Sequence, residues 1–96
     1  MAVVVTNTWV RPNIGVDFYE PSESQVDYIR INFLNNDKYT VTSTYSDDEL
    51  TKIRVASFAD AATRNEWKAD STVQQLHSER NTYCTNNSIS YTFSVS

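Results

Sequence analysis

The stretch from Ser57 to Asn87, SFADAATRNEWKADSTVQQLHSERNTYCTNN, limits what this chain can fold into more than any other. Val73, Leu76, His77, Arg80, Tyr83 and Cys84 recur at the three- and four-residue spacing that places side chains on one face of a helix. Asp60 is a good N-cap for an earlier segment carrying Ala62, Thr63 and Trp67. Asp70-Ser71 interrupts the pattern. Ser71 and Gln74 have capping-box spacing, which predicts that a helix restarts at Ser71. Asn86-Asn87 suits the left-handed conformation that ends many helices. His77 and Arg80 therefore share a face with Val73 and Leu76, so two polar groups are turned towards a core.

The rest of the chain reads as the surface on which such a helix packs. In residues 38–46, Tyr39, Val41, Ser43 and Tyr45 alternate with Thr40, Thr42 and Thr44, the signature of a strand. Asp47-Asp48 is turn chemistry, and in residues 50–58 Ile53 and Val55 alternate with Lys52 and Arg54, which makes residues 38–58 a hairpin. Ile89, Tyr91, Phe93 and Val95 alternate with Ser90, Thr92, Ser94 and Ser96 as a last strand. Residues 2–19 are extended, with Val3, Val5, Asn7 and Trp9 on the face that meets the helices. Pro12-Asn13 interrupts this run before Ile14, Val16 and Phe18. Proline cannot donate to a ladder, so the run is either one edge strand with a bulge or two strands around a turn. After Glu20-Pro21, Ser22 and Gln25 give another capping box. Val26, Ile29, Phe33 and Leu34 then predict an amphipathic helix over residues 22–35, stopped by Asn35-Asn36-Asp37.

The order is β-α-β-β-α-β. This predicts an α+β, ferredoxin-like split βαβ fold, a four-stranded antiparallel sheet with both helices on one face, within a single domain over residues 1–96. The uncovered sheet face would carry Thr6, Thr8, Thr40, Thr42, Thr44, Thr92 and Ser94, which suits water or a hydrated subunit contact.

Composition removes several functions. The 96 residues contain one glycine, so no phosphate-cradling glycine loop exists. Net charge is −4, and the eight Lys and Arg do not cluster along the sequence, which argues against nucleic acid as partner. One cysteine makes neither an internal disulfide nor a multi-cysteine zinc site, and no spacing marks a metal site. The start, MAVVVTNTWV, lacks the basic region of a signal peptide, and no apolar run approaches the ~20 residues that span a bilayer. A soluble, cytoplasmic protein with no membrane partner is the expectation.

The run from Trp67 to His77, WKADSTVQQLH, together with the topology, resembles the dimeric α+β barrels of the antibiotic-biosynthesis monooxygenase type. Members often carry Trp, a helix restart, an apolar residue and a His ten positions after the Trp. Heme-degrading members are similar in combining these with an Asn on the first strand; Asn7, Trp67 and His77 occupy the matching places. The resemblance covers most of the chain in topology and about a dozen residues in motif. It implies a homodimer, and either a cofactor-poor monooxygenase or a heme-binding, heme-degrading enzyme. In that reading His77 is ligand or proton carrier, and Asn7 and Trp67 orient substrate. The Asn-, Thr- and Tyr-rich style also resembles small reading frames of tailed bacteriophages, which implies an accessory role.

From the residues themselves, Asn7, Trp67, His77 and Arg80 would border one space between sheet and helices, with Trp9 and Arg80 as ligand-binding candidates and room for a small molecule. Each also has a structural reading. His77 suits a hydrogen-bonded core position, and Trp67 a plug at the helix break. Arg80 could lay its stem over apolar surface or pair with Glu79 or Asp70. The leading expectation is a small accessory or binding protein, with the enzyme as the alternative and the cofactor left open.

Overall fold

The computed structural model describes residues 2–35 and 37–96. The elements in chain order are β1 (Val3–Val10), α1 (Glu23–Ile29) running into a π-helical turn (Arg30–Leu34), β2 (Tyr39–Tyr45), β3 (Thr51–Phe58), α2 (Ala61–Ala69), α3 (Ser71–Asn86) and β4 (Ser90–Val95). The strands form one antiparallel sheet in the order β2-β3-β1-β4. This is the ferredoxin-like arrangement that the element order predicts.

β1 is an inner strand, paired on both sides, so neither reading of residues 2–19 holds. The strand stops at Val10, and Pro12, which could not donate to either neighbour, lies just beyond it. Residues 11–22 contain no strand. Gly15 donates to Asn13 Oδ1 at 2.9 Å in a local turn, and the Tyr83 hydroxyl donates to Asp17 O at 2.7 Å, tying the connection to α3. Val16 and Phe18, whose alternation imitates a strand, pack instead on a cluster of Trp9, Cys84 and Ile89.

Side chains alternate along each strand, so register decides which residues face the helices. Tyr39 lies opposite Phe58, Asn7 opposite Arg54, and Trp9 opposite Lys52 and Tyr91. All of these share the helix side. Lys52 and Arg54 therefore turn inward with Ala56 and Phe58, while Ile53, 37% exposed, and Val55 turn to the other face. The uncovered face is rich in Thr as expected, but an apolar row of Val4, Val55 and Ile53 runs through it.

The main core joins Val5, Ile29, Phe33, Tyr39, Ala56, Phe58, Val73 and Leu76, with Trp67 packed against it. Helix ends follow local chemistry. Ser22 and Gln25 make both bonds of the capping box, and Asp60 Oδ1 accepts from Thr63 N at 2.7 Å. Of the stop expected after α1, Asn36 lies outside the described residues; Asp37 takes a φ of 55°. The left-handed residue after α3 is Ser88 (φ 58°), not Asn86 or Asn87.

The restart before α3 also differs from expectation. Asp70, not Ser71, is the N-cap: its Oδ1 accepts from Thr72 N at 2.9 Å and Val73 N at 3.1 Å. A carboxylate meets the partial positive charge of the helix start better than a hydroxyl. Gln74 turns back to donate to Lys68 O at 2.9 Å rather than closing a box. Asp70 Oδ2 also accepts the Tyr28 hydroxyl at 2.6 Å, tying α1 to the break. Asp70→Ala is expected to cost about 2 kcal/mol in chemical denaturation, and Ser71→Ala less than about 0.5 kcal/mol. Equal losses would return the cap to Ser71.

Candidate functional site

The sheet and helices bring the sequence-selected residues to one place. β1 supplies Asn7 and Trp9, α2 supplies Trp67, and α3 supplies His77 and Arg80. All five line a cleft of about 270 Å³ that also takes in Tyr91 and Phe93 of β4. A second cleft, of about 280 Å³, opens on the α1 side among Val26, Ile29, Leu34 and Val41. The two share Trp9, Tyr39, Arg54, Trp67, His77 and Arg80, so those six residues form the wall between them.

That wall is held rigidly by its neighbours. The Tyr91 hydroxyl donates to Asn7 Oδ1 at 2.6 Å, and its ring stacks on Trp9 with centroids 5.1 Å apart. The Arg80 guanidinium lies 4.6 Å from the Tyr91 ring centre and 5.4 Å from that of Trp9, a cation–π seat. Arg54 donates to the hydroxyl of buried Tyr39 at 3.1 Å. Trp67 meets Phe33, Tyr39 and Phe58 edge-on or tilted, and its ring centre is 5.9 Å from that of His77. Asn7 therefore acts on the cleft through Tyr91, its amide oxygen already engaged.

The electrostatics are one-sided. Burial, then the charges of Arg80 and Arg54, push the pKa of His77 down to about 4, so the imidazole is neutral at pH 7. Its ring nitrogens have no hydrogen-bond partner among the described residues. Burial lowers the pKa of Arg80 and raises that of the Cys84 thiol, which sits in an apolar cluster as an inert small side chain. Neither carboxylate expected beside Arg80 pairs with it. Glu79 accepts from Gln25, Gln75 and Tyr19, and Asp70 caps α3. The ion pairs among the described residues are Arg30–Asp27 and Lys38–Glu66, both away from the clefts.

Among the described residues, two buried polar atoms lack a hydrogen-bond partner, Trp9 Nε1 and Arg80 Nε, and both belong to the shared wall. Burying an N–H without a partner is costly, and such atoms mark where an acceptor is missing. Among the described residues, no group of three or more His, Cys, Asp or Glu could hold a metal ion. Reading the sequence left the facing of Arg54 open and missed Tyr39 and Tyr91. Phe58, four residues along the same strand, shares the face of Arg54, and Tyr91 lies opposite Trp9.

No helix among the described residues is long and apolar enough to cross a membrane. Neither a protein-family model nor a curated protein matches the sequence. Among solved structures, a dimeric ferredoxin-like protein from an uncultured marine organism superposes with a TM-score of 0.58 over 99% of this chain and 92% of that one, at 10% identity. At that identity the likeness is one of fold alone, and the fold is ferredoxin-like.

Proposed function

We propose that this chain is a small-molecule-binding protein, accessory rather than catalytic, whose ligand sits between α3 and the sheet. One observation carries the reading: Trp9 Nε1 and Arg80 Nε are buried without partners on the wall of clefts large enough for a small ligand. A core histidine of purely structural use would hold its ring by hydrogen bonds, and His77 does not. We extend the proposal to a homodimer in a reducing compartment such as the cytoplasm. The similar fold described as dimeric supports the assembly, as does the apolar row on the uncovered sheet face. Light scattering should give twice the 11.0 kDa chain mass at high micromolar concentration; a monomer there would end that part. A phage origin fits an accessory role and rests on composition alone.

The binding itself is testable with a neutral probe. Amide signals of residues in α3, β1 and β3 should shift as 2-naphthol is added at high micromolar to millimolar concentration. Val26 lines the first cleft yet is 45% exposed, so Val26→Trp can fill that space without disturbing the core. The variant should lose the shifts. Shifts that persist, or that spread over the outer sheet face, would defeat the reading.

A cofactor-poor monooxygenase is the second reading. It rests on one fact: a neutral imidazole without hydrogen-bond partners faces Trp67 and lines the same cleft as Asn7, so His77 could accept a hydrogen bond from a bound phenol and orient it. Oxygen uptake with a hydroquinone, lost in His77→Gln, would favour it. Heme does not fit this site. Either cleft is smaller than a porphyrin with its propionates unless Arg54 and Arg80 move, and no step through heme is derived.

A further inference from the structure

We infer that the natural ligand is a small organic anion with a flat apolar body, its carboxylate received between Arg54 and Arg80. The inference rests on the binding role proposed above and adds the class of ligand. The chain carries twelve Asp and Glu against eight Lys and Arg, yet none of the twelve lines either cleft. Five of the eight cations do: Lys52, Arg54, Arg64, Lys68 and Arg80. An acidic protein has thus gathered most of its positive charges, unpaired by carboxylates, around two adjoining clefts.

The energetics point the same way. A half-buried guanidinium gives up water and normally regains that loss from a carboxylate or from hydrogen bonds. Arg80 has instead two aromatic faces, the neutral hydroxyl of Tyr91 and a long 3.4 Å contact with Asn81 Oδ1, and its Nε is buried without a partner. Arg54 has one neutral hydroxyl. Both side chains are held in place before any ligand arrives, and a planar fork of donors suits a carboxylate. The N–H of Trp9, whose residue is only 6% exposed, adds a further donor on the same wall. The apolar end of the first cleft, among Val26, Ile29, Leu34 and Val41, takes the body of the ligand. A volume of about 280 Å³ limits that body to one or two fused rings.

Matched probes separate this inference from the reading beneath it. Isothermal calorimetry of the full chain with 2-naphthoate and with 2-naphthamide compares an anion and its neutral isostere. Naphthoate should bind at least tenfold more tightly at low salt, with the advantage shrinking as sodium chloride is raised. Arg54→Gln and Arg80→Gln, each checked by its thermal transition, should remove most of that advantage, bringing the ratio of the two affinities towards one. Equal affinities for the two probes would overturn the anion inference and leave the binding role standing. Failure of both probes to bind would overturn the two together. An advantage that survives in both variants would take the assignment away from these arginines.

Discussion

Phe33→Ala is expected to lower stability by about 3–5 kcal/mol, the range for removing a fully buried aromatic ring. Phe33 is 2% exposed, and its ring meets Trp67 edge-on at 5.0 Å and Tyr39 at 6.5 Å. Trp67 in turn meets Tyr39 and Phe58, so the four rings form one block that joins α1 and α2 to β2 and β3. In the helix around Phe33 the other buried residue is Ile29, with Tyr28 and Leu34 half-buried against the core, while Arg30 and Ile31 are exposed. For a domain of this size each kcal/mol moves the transition by about 4–8 °C, so a fall of about 12–40 °C is expected. Ile31→Ala, two residues away at a position 58% exposed, should change stability by less than about 0.5 kcal/mol. A Phe33→Ala transition within a few degrees of the parent would mean that this block is not the core.

Much of this architecture is written in the sequence because period-two alternation survives wherever one sheet face is covered. Tyr39 to Tyr45 and Ser90 to Val95 are strands for that reason. The misreadings occur where two local signals compete. Ile14, Val16 and Phe18 alternate like a strand, but Pro12 removes a donor, and Val16 and Phe18 serve the second core cluster from a loop. Asp70 and Ser71 are adjacent residues that can both cap. The extended backbone of Asp70 (φ −70°, ψ 125°) and its charge decide between them, and spacing to Gln74 does not.

The site was half legible. His77 and Arg80 announce themselves by sharing a helical face with Val73 and Leu76, and no context changes that spacing. Arg54 does not, because alternation fixes which residues share a face and leaves open which face is inside. Ile53 and Val55 argue for the inverse of what occurs. The decision comes from partners distant in sequence: Tyr39 opposite Phe58 and Val41 opposite Ala56 give the Arg54 face the larger apolar area. The inward strand then carries two cations because a cleft, not packed core, lies above them.

His77 makes stability depend on pH in a window of its own. Its folded pKa is about 4 and its ordinary value is 6.5, so the unfolded chain binds a proton more readily between these values. Stability is therefore full above pH 6.5, falls as pH drops towards 4, and changes no further from this group below that. The full shift corresponds to about 3 kcal/mol, and water reaching the half-buried ring reduces this to about 2 kcal/mol. The charges facing the ring are Arg54 and Arg80, with Lys52, Arg64 and Lys68 farther along the cleft walls, and no carboxylate offsets them. Glu79, Asp48 and Asp60, whose hydrogen bonds lower their pKa values, lose their contributions only below their ordinary values of 4.5 and 3.8. The interval from 6.5 to 4.5 thus isolates the histidine. Urea titrations at pH 7.5 and 4.5 should show the loss in the parent and a much flatter response in His77→Gln. A proton NMR titration of the ring should place its pKa near 4. A ring that titrates near 6.5, with equal pH dependence in parent and variant, would show that the imidazole is in contact with bulk water and that the cationic wall around it is not closed.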